Sequence, residues 1–163
     1  MNVDRILETM NRHSVDYLLI GGMNFLLRHQ PELTFDIDLW IADTPDNRQR
    51  CAQALAALDA AWGATDAEWA PVRKLSGDWL ERQAVFCMAS PVGAIDIFRA
   101  VRGLPAWTIC AERAVTGHTE AGVPFRGLGD ADMLAAQMAL EPQQRHGKRV
   151  EFLQQLLQQQ SGT

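Results

Sequence analysis

The apolar positions of this chain switch between helical and strand-like spacing, and the switches mark its elements. Val3, Ile6, Leu7 and Met10 recur every three or four residues, which predicts an amphipathic first helix. Ser14-Val15-Asp16 interrupts that pattern, and the apolar run from Tyr17 to Ile20 predicts a buried strand. Gly21-Gly22 then predicts a sharp turn into a helix over residues 23 to about 29, ended by Pro31. Residues 35–42 predict a second strand. Thr44 as cap and Pro45 in the first turn start a helix to about residue 61, with Cys51, Ala54, Leu55, Leu58 and Trp62 on one face.

Beyond it the signals are shorter. Residues 71–75 predict an edge strand, and residues 83–89 and 94–100 two strands joined by the turn Ser90-Pro91-Val92-Gly93. A short helix is expected from Trp107 to about Thr116, then a hairpin around Ala121-Gly122. Asp130 is expected to cap a helix through Leu140, and Pro142 to separate it from a last helix striped by Val150, Leu153 and Leu157. The polar tail after it is expected to fray. Strands alternating with helices predict an α/β or α+β fold, a mixed β-sheet with flanking helices and a C-terminal helical pair. No linker or repeat interrupts the chain, so a single domain is expected over residues 1–163, with its core at about 15–128 and the last helices at about 130–160.

Composition narrows the setting. A net charge of −5 argues against a protein that coats nucleic acid. Cys51, Cys87 and Cys110 are far apart and form no CxxC pair, so neither a disulfide framework nor a zinc site is expected. No apolar run approaches the length of a membrane span, and the first residues do not read as a signal peptide. A cytoplasmic protein without membrane partners is expected. Trp40 and Trp62 read as core, and the four histidines as surface residues without ligand spacing.

The candidate chemistry lies in the strands. Asp36 and Asp38 interrupt the apolar run that continues through Leu39, Trp40 and Ile41, and alternation along a strand puts both on one face. A third acid, Asp96, stands alone between Ile95 and Ile97. Charges are costly in strands built for burial, and adjacent carboxylates repel unless a cation lies between them. If the two strands are neighbours, the three acids converge at one sheet edge, where Mg²⁺ or Mn²⁺ balances them. Gly21-Gly22 at a helix start offers backbone N–H groups to a phosphate chain. The competing structural reading pairs these acids with arginines such as Arg28 and Arg99.

An apolar strand, Gly-Gly, thirteen residues, Asp-x-Asp and a later lone Asp together resemble the nucleotidyltransferase fold, the superfamily of DNA polymerase beta. QPELTFDIDLWI is similar to the small bacterial members, the minimal nucleotidyltransferases and the toxin components of AbiE-type systems. FRGLGDADMLAAQMAL and HGKRVEFLQQLL are similar to the C-terminal helices of those members. The resemblance implies that Asp36, Asp38 and Asp96 are the catalytic metal ligands and that Gly21 and Gly22 form the phosphate loop. Asn24 is the one polar group offered just beyond the glycines, and Lys148 with Arg149 match a basic pair in the last helix. Glu32 and Gln137 stand where relatives often carry cations.

The activity implied is transfer of a nucleoside monophosphate from an NTP to a hydroxyl of RNA, a protein or a small molecule. Toxin-type relatives imply tRNA or a protein as acceptor and a cognate antitoxin as partner. Two other readings stand beside it: an antibiotic-modifying nucleotidyltransferase, and a catalytically degenerate binding protein that keeps the fold.

Overall fold

A computed structural model describes residues 1–162. Helices α1 (Val3–Arg12), α2 (Gly21–Arg28), α3 (Pro45–Ala57), α4 (Trp107–Glu112), α5 (Asp130–Met138) and α6 (Gly147–Ser161) surround a six-stranded sheet. Its strands are β1 (Tyr17–Ile20), β2 (Asp36–Ile41), β5 (Val85–Met88), β6 (Ala94–Phe98), β7 (Val115–His118) and β8 (Pro124–Gly127), in the order β5-β6-β2-β1-β8-β7. A separate two-stranded ribbon joins β3 (Ala61–Trp62) to β4 (Ala70–Pro71). The sheet is mixed: β1 runs antiparallel to β2 and parallel to β8, and β2 runs parallel to β6.

Two hydrophobic layers follow from strand alternation. Ile37, Leu39 and Ile41 of β2 and Ile95 and Ile97 of β6 face one layer with Ile6, Leu7 and Met10 of α1 and Cys51, Ala54 and Leu55 of α3. Trp40, Leu18 and Ile20 face the other, with Cys110 of α4, Met133 of α5 and Leu153 of α6. β1 is buried along its whole length because both faces are covered, which is why it reads as an unbroken apolar run. The Trp107 indole N–H donates to the Trp40 carbonyl at 2.9 Å and ties α4 to the centre of the sheet. The C-terminal helices therefore cover part of the face that carries the acids, packing over Leu18 and Ile20 of β1, Trp40 of β2 and Phe98 of β6.

Several elements differ from expectation for local reasons. Gly21 and Gly22 are the first residues of α2 rather than a turn before it. Helix α3 ends at Ala57 because Asp59 takes a left-handed conformation (φ 53°), so Trp62 enters the core from β3. The expected edge strand at 71–75 is β4 followed by a 3₁₀ turn, Val72–Lys74. Helix α4 stops at Glu112, leaving Val115 and Thr116 to pair in β7. Gly129, not Asp130, is the cap of α5; the Asp130 carboxylate accepts from Arg28 at 2.9 Å and from His29 at 2.8 Å. His29 is thus tied to Asp130, with its ring tilted against those of Phe25 and Phe152, and is not a surface histidine. The polar tail continues α6 to Ser161, as glutamine's good helix propensity permits. Among the described residues no helix is long and apolar enough to cross a membrane.

Candidate active site

Parallel pairing of β2 with β6 sets Asp38 directly beside Asp96, with Asp36 two residues back along the same face. One carboxylate oxygen from each of the three lies within 4.8 Å of the others. They meet on a face of the sheet, on the second and third strands from the β5 border, rather than at its edge. Thr34 Oγ1 donates to the Asp36 carbonyl at 3.1 Å and lies 3.5 Å from its carboxylate, which holds the start of β2. Cys87 of β5 stands opposite Asp96, and its thiol hydrogen-bonds to that carboxylate.

The electrostatics are those of a site short of positive charge. Burial, then the charges of Asp36 and Asp96, push the Asp38 carboxyl up to about 7, against an opposing pull from Arg149. Burial and the charge of Asp36 also raise Asp96, while the Cys87 bond lowers it. The arginines that would make the acids a structural set are engaged elsewhere. Arg28 donates to Asp130 and to the Leu128 carbonyl at 2.6 Å; Arg99 holds Asp43 with two 2.9 Å bonds. Three converging carboxylates within 4.8 Å of one another are a donor set for a hard divalent cation, all oxygen and concentrated in charge. The residues fit such an ion.

Helix α2 begins against these acids. Gly21 has φ +67°, and a Cβ there would lie 2.1 Å from Asp38 Oδ2. A Cβ on Gly22 would meet Thr34 Oγ1 at 3.1 Å and Arg149 Nη2 at 3.2 Å. The glycines thus let the backbone of the first helical turn approach Asp38, Thr34 and Arg149 at once. Gly21→Ala is expected to destabilise the fold by about 1–3 kcal/mol through left-handed strain, and to displace the Asp38 carboxylate. Urea unfolding of the variant checks this.

Asn24 and Lys148 fall outside the site. Asn24 is fully buried, and its amide donates to the Leu128 carbonyl at 3.0 Å, tying α2 to the end of β8. Lys148 is exposed and lines no part of the cavity; the neighbouring residue does. Arg149 is only 4% exposed, lies over the Phe25 ring at 5.7 Å, and donates from Nε to Glu32 Oε2 at 3.1 Å and from Nη2 to Glu32 Oε1. His146 Nδ1 stands 3.7 Å from the same Glu32 oxygen. Gln137 is buried, and its side-chain oxygen accepts from the His146 backbone at 2.9 Å. Asp36, Asp38, Gly21, Gly22 and Arg149 open on a cavity of about 610 Å³. Sequence reading missed its apolar part, including Phe35, Val85, Phe98 and Val101. The one signal for it was Phe35, a large apolar residue just before the Asp-x-Asp.

No family model matches the sequence, and no curated protein matches it. Solved structures do match in fold. ANT(2″)-Ia in complex with adenylyl-2″-tobramycin is 16% identical, over 95% of this chain and 87% of that chain, with a TM-score of 0.57. A Thermotoga maritima protein described as a nucleotidyltransferase is 12% identical, over 99% of this chain and 91% of that chain, with a TM-score of 0.53. The chain has the nucleotidyltransferase fold.

Proposed function

We propose that this chain, as a single domain, transfers a nucleoside monophosphate from an NTP to an acceptor hydroxyl and needs Mg²⁺ or Mn²⁺ to do so. The observation that carries the reading is the meeting of Asp36, Asp38 and Asp96 within 4.8 Å beside the first turn of α2. Asp36, Asp38 and Asp96 would hold the divalent metal, which when bound neutralises phosphate charge and aligns the reacting groups. The likeness in fold to nucleotidyltransferases supports the same chemistry.

The chain's own groups divide the remaining work. Backbone N–H groups of Gly21 and Gly22 donate to phosphate oxygens of the donor at the positive end of α2. Arg149, with its Nη1 edge free of the Glu32 fork, meets the charge of the leaving pyrophosphate. Asp96, the one of the three acids carried by β6, takes the proton of the acceptor hydroxyl. The bond formed is from the acceptor oxygen to the α-phosphorus; the bond broken joins that phosphorus to the β-phosphate bridge, whose electron pair leaves with pyrophosphate.

The test is transfer of label from each α-labelled NTP, with Mg²⁺, to a crude extract of RNA, protein and metabolites. Label fixed by the parent and lost in Asp96→Asn supports the reading. Absence of NTP and metal binding in calorimetry would overturn it and favour the degenerate binding protein. The three free cysteines suit a reducing cytoplasm. Modification of an antibiotic is the second reading, favoured by the structural likeness to ANT(2″)-Ia bound to adenylyl-2″-tobramycin. The toxin reading, with tRNA or protein as acceptor and a cognate antitoxin, rests on sequence resemblance alone; co-purification of a small partner from the native host would support it.

A further inference from the structure

We infer that the acceptor is an apolar, hydroxyl-bearing small molecule that lies against Phe35, Val85, Phe98 and Val101; this rests on the activity proposed above. The strand order β5-β6-β2-β1 supplies the direction. Gly21, which follows β1, flanks the acids on one side, while Phe98 of β6 and Val85 of β5 flank them on the other. Phosphoryl transfer proceeds with the attacking and leaving oxygens roughly in line. If the donor's phosphates run toward Gly22 and Arg149, the attacking hydroxyl comes from the side of β5 and β6. Asp96 stands on β6 between the other two acids and that wall.

The chemistry of the wall selects the occupant. Val85 is paired with Phe98 across the two strands, so both extend the face that carries Asp96 and Cys87. Phe35 is 77% exposed and belongs to neither hydrophobic layer, so packing does not explain a large aromatic ring beside the acids. A polynucleotide acceptor needs several cations along its backbone. The cations lining this cavity are Arg102 and Arg149, and Glu32 already binds Arg149. A polyamine needs several carboxylates beyond the metal-binding set, and Glu32 is the one further acid in the lining. An uncharged apolar body with a hydroxyl satisfies what remains. In the step itself its oxygen gains the bond to the α-phosphorus, its proton passes to Asp96, and pyrophosphate leaves with the electron pair.

The experiment uses the full chain with Mg²⁺ and measures two quantities. Calorimetry with a non-hydrolysable NTP reports the donor half alone. Pyrophosphate release from NTP is then followed with 4-phenylbutanol, decanol, sorbitol, an aminoglycoside and bulk tRNA as acceptors. The expected result is that the two apolar alcohols stimulate release and become nucleotidylated, at least about tenfold better than sorbitol. Val85→Asp is expected to raise the KM for those alcohols by at least about tenfold and to leave the NTP Kd within about twofold. Donor binding with stimulation by tRNA or the aminoglycoside alone, or by no acceptor, overturns the inference and leaves the donor chemistry standing. An equal loss of NTP affinity in Val85→Asp overturns it too, since the wall would then belong to the donor's base. Failure of NTP to bind at all overturns the activity on which it rests.

Discussion

Asp38→Asn is expected to raise the stability of the metal-free protein while reducing nucleotidyl transfer by about a thousandfold or more. The two effects have one cause. Asp38 is half-enclosed by β1, β6 and the first turn of α2, and its carboxyl is pushed up to about 7 by burial and by the charges of Asp36 and Asp96. A carboxyl raised in the folded state above its unfolded value of 3.8 binds a proton that the unfolded chain has released. Stability therefore falls as pH rises from about 4 to about 7, and the full penalty persists above that. Asparagine has the same shape and no charge, so the variant loses that slope and gains on the order of a few kcal/mol at pH 8. The activity loss follows from removing a ligand whose metal contributes several kcal/mol to charge stabilisation in the transition state. Thermal unfolding from pH 4 to 8, with and without Mg²⁺, checks the first effect, and α-labelled NTP transfer the second. Mg²⁺ is expected to stabilise the parent and to leave the variant nearly unchanged. A variant less stable than the parent at pH 8 would mean that Asp38 serves the fold instead.

Arg149→Met carries the second large effect. Arg149 is 4% exposed and forks onto Glu32, whose side chain is 17% exposed. Breaking such a pair strands a carboxylate in the cavity that Asp36 and Asp38 also line, at a cost of about 3–5 kcal/mol. Replacing both partners, Glu32→Leu with Arg149→Met, is expected to recover most of that loss, since a well-packed apolar pair is often neutral. The nucleotide separates this from a merely structural role. Loss of the guanidinium is expected to weaken NTP binding by about 10–100-fold in both the single and the double variant, the worth of a charge-assisted contact. Glu32→Gln is expected to tighten NTP binding, because it removes a competing anion and keeps the shape. Denaturant unfolding and calorimetry measure the two effects. Double-variant recovery of NTP affinity along with stability would show that Arg149 does not meet phosphate.

The parts of this site that were legible in the sequence are those written in local periodicity. Asp36 and Asp38 stand out because a strand alternates and its other residues are aliphatic; Asp96 stands out for the same reason. What periodicity does not carry is which strands pair. The parallel pairing of β2 with β6, with the β5–β6 hairpin beyond it, is a non-local contact, and it decides that Asp38 and Asp96 are neighbours. Asn24 shows the reverse error: a polar residue two positions past Gly-Gly looks available, yet β8 ends against it and takes its amide. Trp62 fits the 3.6-residue spacing of α3, and only the left-handed Asp59 shows that the helix has already ended. Glu32 read as a missing cation. In the fold it is the acid that holds a buried arginine supplied by α6, a pairing that no spacing in the chain reveals.

The most direct measurement is a Mn²⁺ titration followed by electron paramagnetic resonance, with and without a non-hydrolysable NTP. The parent is expected to bind Mn²⁺, and the nucleotide to tighten that binding. Asp36→Asn, Asp38→Asn and Asp96→Asn are each expected to weaken it by at least about tenfold while remaining folded. Equal Mn²⁺ affinity in the parent and in a triple asparagine variant would contradict a metal site at the three carboxylates, and with it the proposed transfer chemistry.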